Sequence, residues 1–155
     1  MAVFTAAEAL EMALQIEKNG EVFYTAAAAK KDDAEVAALF EDLAAQEEIH
    51  YQIFQEMLGG IGSAPALPAE EYDQYQAYLH AALDNALFSG EDKALALAKK
   101  ATDRETALRA ALGFEKDTML FYYDLREMVS EADKESVSRV IREERKHVRR
   151  LANLL

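Results

Sequence analysis

The chain has 155 residues, no cysteine, and 29 acidic against 17 basic side chains, for a net charge of −12. These figures exclude disulfides, thiolate metal sites and iron–sulfur clusters within this sequence, and they argue against non-specific nucleic-acid binding or a basic membrane-docking patch. With thirty alanines, two prolines, six glycines and no run that alternates polar and apolar residues, the composition predicts an all-α protein filling one domain, residues 1–155.

The opening MAVFTAAEALEMAL carries Glu8 and Glu11 and lacks a basic leader. It does not read as a signal peptide. No stretch is long and apolar enough for a membrane span, so a soluble, cytoplasmic protein is expected.

The first hairpin is predicted over about 5–58. Its first helix starts at Thr5, which forms a capping box with Glu8, and runs to about Lys31. Leu10, Leu14, Glu17, Glu21, Tyr24 and Ala28 recur at helical spacing along one stripe. The second helix starts with Asp32 or Asp33 as cap and stops at Gly59-Gly60. Its stripe is Val36, Leu39, Leu43, Glu47, His50, Phe54 and Met57.

A connector over 59–101 opens with the breaker-rich GGIGSAPALP. A helix from Glu70 to Phe88 and a shorter one from Glu91 to Lys100 are expected within it. Tyr72, Tyr75, Tyr78 and Phe88 offer apolar surface there for a second copy, so a homodimer is expected. His80 has no counterpart and reads as an exposed residue beside Asp84.

The second hairpin is predicted over about 102–154. The third main helix starts at Thr102 or Asp103 and carries Leu108, Leu112, Glu115, Met119 and Tyr122 in line. The fourth starts near Asp133 and carries Val137, Val140, Glu144, His147, Leu151 and Leu154. Two tight hairpins joined by one long, partly helical crossover make a ferritin-like four-helix bundle.

The hairpins repeat each other. Leu10, Ala13, Leu14, Glu17-Lys18 and Phe23-Tyr24 recur 98 residues later as Leu108, Ala111, Leu112, Glu115-Lys116 and Phe121-Tyr122. Glu47 and His50 recur 97 residues later as Glu144 and His147. A duplicated hairpin packs with approximate two-fold symmetry.

Glu17, Glu47, His50, Glu115, Glu144 and His147 all fall within the apolar stripes of their helices. Charged groups are rarely buried unless paired or bound to metal. Four carboxylates facing one core would repel, so cations should lie among them. Glu-x-x-His at i and i+3 sets a carboxylate and an imidazole on one face. Two such motifs plus one glutamate from each remaining helix match the dimetal sites of ferritin-like bundles, with donors that suit iron or manganese. Four carboxylates also balance the charge of two divalent ions.

The motifs Glu17-x₆-Tyr24, Glu47-Glu48-Ile49-His50, Glu115-x₆-Tyr122 and Glu144-Arg145-Lys146-His147 carry a family resemblance. The chain resembles the rubrerythrin-like branch of the ferritin-like superfamily, without its rubredoxin domain. The resemblance covers the four main helices. It implies two iron ions, or manganese or a mixed iron–manganese pair. Glu17 and Glu115 would be carboxylate ligands, Glu47 and Glu144 bridging carboxylates, and His50 and His147 ligands to one metal each. Tyr24 and Tyr122 look like tyrosines that support the ligands.

The implied activity is reduction of peroxide or dioxygen in oxidative-stress defence or iron homeostasis, with electrons from a separate donor. Ferroxidase or iron-handling activity is the alternative. A metal-free interaction module is the third reading, and the ligand arrangement disfavours it. Rubrerythrins proper tend to carry a further glutamate three residues after the third-helix ligand; here that position is Thr118, and its counterpart is Gly20. Small residues at these positions would either leave room for an oxidant or let helices pack closely. The chain stops at Leu155, eight residues after His147, which disfavours a cage-forming fifth helix.

Glu21, Glu48 and Glu143 read as edge or solvated positions beside the ligand face. The basic run Arg142, Arg145, Lys146, Arg149 and Arg150 reads as the outer face of the fourth helix.

Overall fold

The computed structural model describes residues 5–29, 32–61, 74, 77 and 90–155. Five helices are found among them: α1 (Ala6–Ala29), α2 (Ala34–Gly60), α3 (Glu91–Lys100), α4 (Arg104–Met128) and α5 (Glu131–Leu154). The described residues contain no strand. The helix expected over 70–88, with Tyr72, Tyr75, Tyr78, His80, Asp84 and Phe88, lies outside them apart from Gln74 and Ala77, which are helical and exposed.

Local chemistry sets the helix starts. At α1, Thr5 Oγ1 accepts from the Glu8 amide and Glu8 Oε2 accepts from the Thr5 amide, closing the capping box. Asp33 caps α2 by accepting from the amides of Glu35 and Val36, and Asp103 caps α4 by accepting from Thr106. Gly90 precedes α3 at φ 126°, a backbone geometry that side-chain-bearing residues rarely adopt. Helix α5 starts at Glu131, two residues ahead of the expected Asp133. The Ser130 carbonyl accepts from the amides of Asp133 and Lys134, which makes Ser130 the cap and leaves only Val129 and Ser130 between α4 and α5.

Helix α1 pairs with α2 and α4 with α5 as hairpins; α1 also packs on α4, and α2 on α5. Cross-links fix the directions. Tyr24 of α1 reaches Glu115 of α4, while Tyr122 of α4 reaches Glu17 of α1, so these two helices run antiparallel. Arg150 near the end of α5 binds Asp42 near the start of α2, at 2.5 Å. Arg104, at the start of α4, binds Asp33 at 2.5 Å, Glu35 at 2.6 Å and the Leu154 carbonyl at 3.2 Å. The beginning of α4, the beginning of α2 and the end of α5 therefore meet at one pole. The chain leaves α2 at the opposite pole, so the segment before α4 must return the length of the bundle.

Aromatic and aliphatic side chains fill the interior, among them Phe23, Tyr24, Phe40, Phe54, Phe114, Phe121 and Tyr122. Burying a side chain of this size contributes about 1.5–3 kcal/mol. Alanines bring the helices close, including Ala94 and Ala98 on the face that α3 buries. Leu112 and Met119, expected in the buried stripe of α4, are only half-buried. Ala111, Phe114, Thr118, Phe121 and Leu125 are the buried neighbours of Glu115 and Tyr122 instead. No described helix is long and apolar enough to cross a membrane.

Candidate metal centre

The six residues singled out by their spacing meet halfway along the bundle. Glu17 comes from α1, Glu47 and His50 from α2, Glu115 from α4, and Glu144 and His147 from α5. Five of them have no exposed surface, and His147 is 3 % exposed. Each Glu-x-x-His pair occupies one turn, so its two side chains leave the helix on the same face.

Two groups emerge, each with its donor atoms within 4.8 Å of one another. Glu17, Glu47, His50 and Glu144 form one; Glu47, Glu115, Glu144 and His147 form the other. Glu47 and Glu144 belong to both, and each imidazole belongs to one. The imidazoles stack with centroids 5.8 Å apart and planes 20° apart. Glu144 joins them: its Oε1 lies 2.9 Å from His50 Nδ1, and its Oε2 lies 2.9 Å from His147 Nδ1. Both histidines thus turn Nδ1 inward. Glu17 Oε1 is 3.7 Å from His50 Nδ1, and Glu115 Oε1 is 3.6 Å from His147 Nδ1.

Tyr24 and Tyr122 stand where they can act on this cluster, each on the glutamate of the opposite hairpin. The Tyr24 hydroxyl donates to Glu115 Oε1 at 2.5 Å, and the Tyr122 hydroxyl donates to Glu17 Oε1. Their rings are held edge-on, Tyr24 by Phe23, Phe40 and Phe114 and Tyr122 by Phe121, with Phe54 tilted against Tyr122. Burial and the neighbouring carboxylates push both phenols well above their ordinary pKa, so they remain donors.

Protons offset the charge of the cluster in the absence of metal. Burial and repulsion from Glu144, Glu17 and Glu115 raise Glu47 well above the usual carboxylate range. Burial and Glu144 push Glu115 up to about 8, against the pull of His147. Burial opposes charge on His50, yet Glu144, Glu17 and Glu143 outweigh it and raise its pKa well above the usual value. Burial is likewise outweighed at His147, where Glu115 and Glu144 raise the pKa to about 10. Glu144 moves the other way despite its burial, held ionised by Glu115 and the two imidazoles.

Among the described residues, four buried carboxylate oxygens have no hydrogen-bond partner: Glu17 Oε2, both oxygens of Glu47, and Glu115 Oε2. A buried acceptor left unpaired costs about 1–3 kcal/mol. Orphaned oxygens from three helices, beside two inward-facing imidazole nitrogens, form a donor set that iron or manganese would satisfy.

The space beside Gly20 is filled. A Cβ there would lie 2.8 Å from the Phe114 ring and 3.3 Å from Glu47 Oε2. Gly20 therefore serves close packing, the second of the two expectations for this position. Glu143 also departs from its expected place. It is not simply solvated: its Oε2 lies 2.7 Å from His50 Nε2, and its Oε1 accepts from Arg139 at 3.3 Å. The hydrogen bond from His50, aided by Arg139 and opposed by partial burial, lowers its pKa to about 2. No spacing within α5 reveals this contact, because its partner, His50, comes from α2.

Glu48 is exposed and Glu21 half-buried at the edge, as expected. Arg142, Arg145, Lys146, Arg149 and Arg150 are exposed on the outside of α5.

A family model described as Rubrerythrin matches residues 8–155. The fold is similar to the crystal structure of a Thermotoga maritima protein described as a ferritin-like diiron-carboxylate protein. The TM-score is 0.68 at 22% identity, covering 99% of this chain and 96% of that one. No curated protein matches.

Proposed function

Because the chain belongs to the rubrerythrin family, we propose that it is a non-haem dimetal oxidoreductase that reduces peroxide, with iron as the working metal. The observation that carries this reading is the cluster of four unpartnered buried carboxylate oxygens facing two imidazole nitrogens. In this reading Glu17 and His50 hold one ion, Glu115 and His147 hold the other, and Glu47 and Glu144 serve both.

A pair of ferrous ions would supply the two electrons that cleavage of a peroxide O–O bond consumes, and would act as Lewis acids on its oxygens. The protein's own part is positioning and exclusion of water. Tyr24 and Tyr122 hold one oxygen each of Glu115 and Glu17, which leaves the second oxygen of each carboxylate available. The aromatic side chains around them keep the centre dry, where charge interactions are strong. Before metal enters, Glu144 holds the Nδ1 atoms of both imidazoles turned toward the space the ions would take. Reduction of peroxide to two waters also consumes two protons, and the tyrosine hydroxyls stand against two of the ligand carboxylates, where they can relay them. These 155 residues contain no cysteine to hold an iron–sulfur centre, so the reading includes a separate electron donor.

The test is metal analysis of freshly purified protein, followed by oxidation of the anaerobically reduced form. The reading expects two iron ions per chain, one for each donor group, and faster oxidation by hydrogen peroxide than by dioxygen. Repeated turnover of added Fe(II) with dioxygen, without preference for peroxide, would point to a ferroxidase. Protein that neither contains nor takes up metal would overturn the reading.

A further inference from the structure

The two halves of the centre are not equal. His50 Nε2 lies 2.7 Å from Glu143 Oε2. With Glu143 ionised, that nitrogen carries the hydrogen, and in the neutral ring the lone pair then sits on Nδ1, the atom facing the cluster. Glu143 is itself steadied by Arg139, so a chain of contacts runs from the buried imidazole to an exposed guanidinium. The repeat relates His50 to His147 by 97 residues; the same step back from Glu143 arrives at Gln46, a neutral side chain. Among the described residues, no hydrogen bond reaches Nε2 of His147.

We propose that Glu143 is a positioning residue that makes the two metal positions inequivalent, so that the position held by Glu17, Glu47, His50 and Glu144 binds its ion more tightly and fills first. The proposal rests on the dimetal reading above. Glu143 touches no ion itself. It fixes the orientation and tautomer of His50 and makes its inward nitrogen a stronger donor. The second position, with His147, has a neutral amide at the related place.

Titration of metal-free protein with Co(II), followed by calorimetry and visible absorption, tests this. Two binding steps alone would not decide it, because two neighbouring cations repel each other even in a symmetric site. The variants decide. Glu143→Gln should weaken the tighter step by about 10–100-fold. It should leave the weaker step within about twofold, as expected for sites that do not share the altered contact. Protein with one equivalent of Co(II) should show a single paramagnetically shifted, exchangeable imidazole N–H resonance by NMR. That resonance should persist in the wild type, where Glu143 retains the hydrogen, and be lost by exchange with water in Glu143→Gln. Gln46→Glu, which restores the symmetric carboxylate, should narrow the gap between the two steps.

Glu143 is half-exposed, so its amide variant should fold, and circular dichroism checks that it does. Equal losses at both steps, or no loss at either, would overturn the proposal while leaving the dimetal reading intact. Failure of the wild type to bind Co(II) would overturn both.

Discussion

The hydroxyl of Tyr24 donates to Glu115 Oε1 at 2.5 Å across the interface between the hairpins, and Tyr122 returns the same contact to Glu17. Each half of the molecule thus orients a carboxylate that belongs to the other. The two contacts join the packing of α1 on α4 to the geometry of the centre, so one substitution should disturb both.

Tyr24→Phe and Tyr122→Phe each remove a donor from a buried carboxylate. Each should destabilise the metal-free protein by about 1–3 kcal/mol, the cost of leaving a buried acceptor unsatisfied. Each should also weaken metal binding by about 10–100-fold, as loss of a partner behind a ligand does. Urea unfolding and metal titration measure the two effects. A stability loss without loss of affinity would mean that the phenols serve packing alone.

Sharing of Glu47 and Glu144 between the donor groups predicts a difference in stoichiometry. Glu47→Ala and Glu144→Ala should reduce binding at both positions. Glu17→Ala and Glu115→Ala should each spare one. Metal content per chain, measured by elemental analysis, separates these outcomes, and equal losses in all four variants would contradict the sharing.

The raised pKa values give a pH dependence with a definite sign. Folding raises Glu115 from an ordinary 4.5 to about 8 and His147 from 6.5 to about 10. Between its unfolded and folded values each group binds more protons in the native state, so native stability falls as pH rises. The contribution of Glu115 should fade as pH rises to about 8, and that of His147 as it rises to about 10. Glu143, with its lowered pKa of about 2, acts in the opposite direction, but its contribution is lost only under strongly acid conditions. The melting temperature of metal-free protein should therefore fall between about pH 6 and 9. Metal binding displaces the same protons, so affinity should rise over that range. Melting curves with and without metal check both signs.

Gly20→Ala sets two effects against each other. Alanine favours the helix by about 1 kcal/mol. Its Cβ would meet the buried Phe114 ring at 2.8 Å, and overpacking of this kind costs about 1–3 kcal/mol. A net loss is expected, partly relieved when Phe114→Leu is added. A double-mutant cycle reads the coupling, and a gain in stability from Gly20→Ala alone would show that the ring yields freely.

The burial and convergence of Glu17, Glu47, His50, Glu115, Glu144 and His147 were legible in the sequence because helical spacing alone places them within apolar stripes, and the repeat gives each a matching partner. Thr5 with Glu8 was legible because the contact is local. The tyrosine contacts were not, because spacing along α1 places Tyr24 beyond Glu17 but does not say that α4 lies antiparallel beside it. Glu143 was misread for a related reason: a helical wheel shows that it flanks Glu144, not that His50 stands next to that flank. Gly20 stayed open between a gap and close packing because the side chain that fills the space, Phe114, comes from another helix.

The hairpins differ in one further respect. The offset between them is 98 residues on the first arm and 97 on the second, while Glu47 and Glu144 each stand thirteen residues beyond the first residue of their helix. The mismatch is absorbed ahead of the second arms, not between their first turns and their ligands. Lengthening the stretch between Ala29 and Asp33 by one residue should therefore be silent at the centre. The same insertion between Phe40 and Glu47 would swing everything beyond it by about 100°, and Glu47 and His50 would leave the interior together.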